Sequence, residues 1–166
     1  MKLTRLHLTA IIASLIVCTA ATHTVPAKHH AIRHHDKQTH HLVTINMDLD
    51  FKPHKRSNFG KLQGYDQAEV HVRQNDQIQF VNTDDQSHTA TGFSYTGQVV
   101  PTHYTFHGDP TRAHGKIINQ TEWSTGNVRA HGGKSQVFIA KTVGHYFYGC
   151  NYHLGNGMIG VIVVGP

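Results

Sequence analysis

The chain has almost no cysteine: two in 166 residues, Cys18 and Cys150. A framework of internal disulfides is therefore excluded as the source of stability. Charge is also sparse, at 15% of residues, and no basic block interleaved with aromatics appears, which argues against nucleic-acid binding. The longest apolar run, residues 8–21, falls short of the roughly 20 residues that a membrane-spanning helix needs. No segment carries a sustained helical period, so a helical bundle is not expected. What remains is a chain of 38% hydrophobic residues, enough for one globular domain with one core.

The first 21 residues read as a secretory signal peptide. Lys2 and Arg5 provide the basic start, residues 8–21 the apolar stretch, and Thr19, Ala20 and Ala21 the small residues of a cleavage site. Val17 is too bulky for a lipid-attachment signal at Cys18. Export to the periplasm or another extracytoplasmic space follows, with no stable membrane insertion after cleavage. Without Lys2 and Arg5 the formal charge falls from +5 to +3, too mild to define a partner. Cleavage also leaves Cys150 as the lone thiol of an exported protein, where an unprotected thiol is a liability. Burial would protect it, and so would a metal bond.

Histidine is the residue in excess, with 17 copies. Residues 22–41 hold three pairs, His29-His30, His34-His35 and His40-His41, in a segment without apolar periodicity. The segment reads as a flexible tail whose imidazoles can collect copper, zinc or nickel loosely. The domain proper is expected over 42–166. Short β-type segments are predicted at 42–48, 68–73, 77–82, 88–91, 135–142, 145–150 and 159–164, clearest in AEVHVR and SQVFIAKT, where apolar residues alternate. Many short strands with turn residues between them predict an all-β Greek-key sandwich. Two stretches interrupt the pattern, 52–67 and 92–122. The second is long for a structureless loop, so it carries either small elements of its own or a function.

The chemistry concentrates near the C-terminus. Cys150, His153 and Met158 fall within nine residues, in the order thiolate, imidazole, thioether, on what reads as a loop between two strands. Soft sulfur beside imidazole suits copper better than a hard cation, although Cys and His also suit zinc. A fourth donor must come from elsewhere, and His88, following a strand and turn in VNTDDQSHTAT, is the best placed. Two His and one Cys with a weak axial Met is the donor set of blue-copper electron-transfer sites. His103, His107, His114 and His131 are scattered over loops and could form a second site, but solvated titratable histidines are the commoner outcome.

The run G-x-Y-x-Y-x-C-x-x-H-x-x-x-x-M-x-G from Gly144 to Gly160 resembles the plastocyanin, pseudoazurin and halocyanin group of cupredoxins. NDQIQFVN at 75–82 resembles that family's strand before its first histidine ligand, and Trp123 to Gly126 with Gly133 to Ser135 resembles a later turn. The resemblance implies a cupredoxin-like fold and one copper ion held by His88, Cys150, His153 and Met158, with Thr89 bracing the ligand loop. It implies single-electron shuttling and weak, transient docking of redox proteins near His153. A monomer without enzymatic activity is expected, since Gly149 and Asn151 flank Cys150 where multicopper enzymes carry a His-Cys-His run. The alternative is a copper carrier or buffer loaded through the His-rich tail.

Overall fold

The computed structural model describes residues 39–52, 57, 59–95 and 104–166. Every described residue belongs to one compact unit, Lys37–Pro166. The expected signal peptide, residues 22–38 of the His-rich tail, and His103 lie outside the described residues.

The described unit is built of two β-sheets. One holds β1 (Leu42–Met47), β3 (Gln77–Asn82), β7 (Gly133–Lys134) and β8 (Phe138–Ile139). The other runs in the order β2 (Glu69–Arg73), β10 (Ile159–Gly165), β9 (Gly144–Gly149), β4 (Thr91–Phe93), β6 (Ser124–Thr125), β5 (Ala113–His114). The only described helix is one 3-10 turn at Leu154–Asn156, so no helix there is long and apolar enough to cross a membrane. The predicted all-β sandwich is what forms.

Alternation explains why the sheets close on each other. Ile45 and Met47 of β1, Ile78 and Phe80 of β3, and Phe138 of β8 point inward from the first sheet. Val70, Val72, Tyr146, Tyr148, Ile162 and Val164 meet them from the second. Trp123 fills the middle, its ring 5.9 Å from Phe80 and 5.0 Å from Phe138. Each such side chain, fully removed from water, contributes about 1.5–3 kcal/mol.

The two interrupting segments have a structural role. Phe147 and Val161, facing away from the main core, join Phe93, Phe106, Leu62 and Leu154 in a second buried cluster, with Phe59, Tyr95 and Tyr104 packed against it. Phe59 lies 5.4 Å and Tyr95 4.6 Å from the Phe147 ring. Phe59, Leu62, Phe93, Tyr95, Tyr104 and Phe106 thus roof the outer face of the second sheet, which is why most of β10 is buried.

Two predicted strands differ from expectation. The strand expected at 88–91 begins only at Thr91, because His88 pairs instead with Val128 in an isolated bridge. The strand expected over 135–142 shrinks to Phe138–Ile139. There the backbone divides its bonds: Ser135 donates to Phe80 O, Ile139 to Lys116 O and Ala140 to Asp76 O. The pairing of Thr91 with Gly149, and of Gly149 with Ile159, sets the loop after β3 beside the loop between β9 and β10 at one end of the sandwich.

Candidate metal centre

Asn82, the last residue of β3, organises the first loop. Its side-chain amide donates to Gln86 O at 2.7 Å and Val128 O at 2.9 Å, while its oxygen accepts the Asp84 N–H at 3.0 Å. His88 is then locked by a reciprocal backbone pair with Val128, His88 N–H to Val128 O at 3.2 Å and Val128 N–H to His88 O at 2.8 Å.

The second loop folds on itself. Cys150 N–H donates to Met158 O at 3.1 Å, Met158 N–H to His153 O at 3.1 Å, and His153 N–H to Cys150 O at 3.3 Å. Gly157, at φ +85°, closes the 3-10 turn with a bond to Leu154 O. A side chain there would cost backbone strain, which accounts for the glycine. Three closely spaced backbone bonds thus gather Cys150, His153 and Met158 at the mouth of one hairpin.

Thr89 ties the loops together. Its hydroxyl accepts the Asn151 N–H at 2.8 Å, and its own N–H points at Cys150 Sγ at 3.4 Å. This is the bracing role that the resemblance implied. Tyr65, from one interrupting segment, donates its buried hydroxyl to Thr89 O at 2.9 Å. Beside it, Gln63 donates to Asn156 O and accepts the Ile159 N–H, and Gly64 (φ +81°) packs so closely on Met158 that a Cβ there would collide with Met158 Cγ.

At the centre, Cys150 Sγ lies 3.6 Å from His88 Nδ1 and 3.6 Å from His153 Nδ1, and the two nitrogens are 3.1 Å apart. His88, Cys150 and Met158 are fully buried, and His153 is partly exposed. His88 Nε2 meets Asp84 Oδ2 at 2.8 Å. Because an ionised carboxylate can only accept, Nε2 carries the proton and Nδ1 its lone pair. Two imidazole nitrogens and a sulfur then face one point. A metal ion satisfies all three. Bonds of about 2.0 Å to nitrogen and about 2.3 Å to sulfur, set about 120° apart, span about 3.7 Å between S and N, and two nitrogen bonds at about 100° span about 3.1 Å. The observed triangle has those sides, so the donors fit the ion with little movement.

In the metal-free site the same contacts shift the proton affinity of all three groups. Burial pushes the Cys150 thiol up, but its contact with His88 and the N–H groups of Thr89 and Tyr152 outweigh it and leave it below its ordinary value. Burial likewise opposes protonation of His88, whereas Cys150 and Asp84 favour it and win. His153 is pushed down by burial and by the neighbouring His88.

All four residues singled out in the sequence therefore lie at this end of the fold, three of them with donor atoms in mutual contact and Met158 closing the loop beneath them. Among the described residues no other group of three or more His, Cys, Asp or Glu converges in this way. His107 instead faces Glu122 at 3.1 Å, and His114 Nδ1 lies 2.9 Å from Arg112 O. Sequence reasoning missed Asp84 and the Gln63 to Tyr65 segment. The i, i+4 spacing of Asp84 to His88 was the available signal, but nothing in TDDQSH separates Asp84 from Asp85.

A β-sandwich carrying two imidazoles and a buried thiolate at one end, with a thioether in the same loop, defines a cupredoxin with the donor set of a type 1 copper site. The family model described as copper binding proteins, plastocyanin/azurin family, matches residues 52–165, and the chain belongs to this family. Its cofactor is copper. Among solved structures, similarity is found to a purple cupredoxin from Nitrosopumilus maritimus, at 14% identity and TM-score 0.44, covering 74% of this chain and 99% of that one. An amicyanin from Paracoccus versutus matches at 15% identity and TM-score 0.43, covering 75% and 81% respectively. A pseudoazurin from Sinorhizobium matches at 18% identity and TM-score 0.41, covering 76% and 75%. No curated protein matches the chain in a sequence search.

Proposed function

We propose that the protein is an exported, monomeric electron carrier that holds one copper ion through His88, Cys150, His153 and Met158 and passes single electrons between redox proteins without catalysing a reaction itself. One observation carries this reading: the Nδ1, Nδ1, Sγ triangle with sides of 3.6, 3.6 and 3.1 Å, formed by His88 with two residues 62 and 65 positions further along the chain.

When bound, copper supplies the one-electron couple. Cys150 serves as thiolate, and the bond to metal protects an otherwise lone thiol. His88 and Cys150 are held from two loops that Thr89 joins, so the donors have little freedom to rearrange when the charge at the centre changes. His153 is the ligand that reaches the surface, and with Gly155 and Gly157 beside it forms a small docking patch, while the neighbouring Leu154 is buried in the second cluster. Contact there would be brief, as suits weak redox encounters with small interfaces. Export rests on the signal-like residues 1–21.

A copper carrier remains the rival. A carrier must release its ion, and the full burial of His88 and Cys150 favours the shuttle instead. Deleting residues 22–41 separates the two: loss of copper loading with unchanged electron transfer supports the carrier. The reading itself is tested by adding one equivalent of Cu(II) to the mature protein and recording visible and electron paramagnetic spectra. An intense thiolate-to-copper band is expected, absent in Cys150→Ser. A fully loaded but colourless protein would refute it.

A further inference from the structure

Asp84 occupies a position that the ligand set does not explain. Its Oδ2 sits 2.8 Å from His88 Nε2, on the far side of the ring from Cys150, and its side chain is only 10% exposed while that of His88 is 0%. The carboxylate is not free to turn away. Oδ2 also accepts the Leu49 N–H at 3.0 Å, and Oδ1 accepts the N–H groups of Asp85 at 2.6 Å and Gln86 at 3.3 Å. Asp84 is itself held at both backbone ends, its N–H on Asn82 Oδ1 at 3.0 Å and its carbonyl on the His131 N–H at 3.0 Å. Among the described residues no lysine or arginine pairs with it, so its charge is directed at one imidazole. His153 has no such partner: among the described residues no carboxylate lies within hydrogen-bond reach of its ring.

We propose that Asp84 is an anionic positioning residue that fixes His88 as an Nδ1 donor and biases the centre towards Cu(II), lowering its reduction potential. The inference rests on the copper reading above and goes beyond it. A carboxylate that accepts the outer N–H of a ligating histidine fixes the tautomer and raises the basicity of the ring, and removing such partners typically costs about 10–100-fold in metal affinity. The effect is unequal for the two oxidation states. The Cys150 thiolate and the Asp84 carboxylate together balance the two positive charges of Cu(II) but leave a buried net negative charge around Cu(I). Reduction adds one electron to the copper from a one-electron donor, and the N–H groups of Leu49, Asp85 and Gln86 hold the Asp84 carboxylate beside His88, so it does not turn away to relieve the excess.

The test uses the copper-loaded mature protein, with Asp84→Asn compared against Asp85→Asn, which removes the same charge from an exposed neighbour that does not touch His88. Cu(I) and Cu(II) affinities are measured by competition with chromophoric chelators, and the potential by spectroelectrochemistry. Asp84→Asn is expected to weaken Cu(II) binding relative to Cu(I) about tenfold or more, a rise of about 59 mV or more for a one-electron couple. Asp85→Asn should move the potential far less. A blue wild-type protein in which the two variants have equal potentials overturns the role of Asp84 while leaving the copper reading intact; a wild type without the thiolate band overturns both. Should Asp84→Asn fail to fold, the 15N shifts of His88 in the metal-free wild type decide. Protonation at Nε2 supports the proposal, and protonation at Nδ1 contradicts it.

Discussion

His88 and His153 offer the same atom to the same point from two unlike regions of the molecule. His88 is sealed inside the sandwich, bonded to Val128 through its backbone and to Asp84 through its outer nitrogen. His153 stands on a short self-bonded loop, partly exposed, next to Tyr152, whose ring is 6.3 Å away and 47% exposed. The difference separates two tasks. On the proposed reading, the sheet side sets the donor geometry and its charge, and the loop side gives access to the outside.

Removing each ligand in turn should expose that asymmetry most strongly. His88→Gly leaves Asp84 as a buried charge without its partner and is expected to destabilise the fold by about 4 kcal/mol. Added imidazole should not restore the copper spectrum, because the position is closed to solvent. His153→Gly should fold nearly normally and recover a copper band when imidazole is supplied. Denaturant melts and spectra with and without imidazole check both, and equal behaviour of the two variants would erase the distinction.

The next largest effect is expected under Met158. Gly64→Ala combines a positive φ with a collision against Met158 Cγ, a cost of about 3 kcal/mol. The copper spectrum should shift as Met158 is displaced, read in the same melts and spectra. Thr89→Val should cost about 2 kcal/mol by leaving the Asn151 N–H without its acceptor, with a smaller spectral change because the two loops lose one tie.

The mildest prediction lies at the other end of the sandwich. Asp76 accepts the N–H groups of His41 at 2.9 Å and Arg73 at 2.8 Å, pinning the start of β1 to the turn before β3. Burial pushes its carboxyl up, but those bonds hold it below the usual value. A carboxyl depressed in the folded state stabilises above its unfolded value of about 3.9 and loses that contribution as pH falls through the folded value. Asp76→Asn should therefore cost about 1 kcal/mol at neutral pH, flatten the acid limb of the stability profile below about pH 4, and leave the copper spectrum unchanged. A changed spectrum would mean that the two ends are coupled.

The same contrast explains what was legible in the sequence. Strands such as 77–82 and 159–164 announce themselves because a buried face imposes alternation or a continuous apolar run on them. Cys150, His153 and Met158 were readable because a single hairpin loop supplies all three, so their geometry follows from spacing. The two-residue strands β5, β6 and β7 carry too few residues for a period to show. The roofing role of Phe59, Leu62, Tyr95 and Tyr104 depends on which sheet face they meet, which local sequence does not encode. Asp84 escaped for a similar reason: only the bonds that Asn82 makes to Gln86 and Val128 turn its carboxylate, rather than that of Asp85, onto His88.

The most direct measurement is a crystal structure of the Cu(II)-loaded mature protein with anomalous data at the copper edge. One strong peak is expected between Cys150 Sγ and the Nδ1 atoms of His88 and His153, with those side chains barely displaced and Asp84 still on His88 Nε2. Copper bound elsewhere, with Cys150 unliganded, would contradict it.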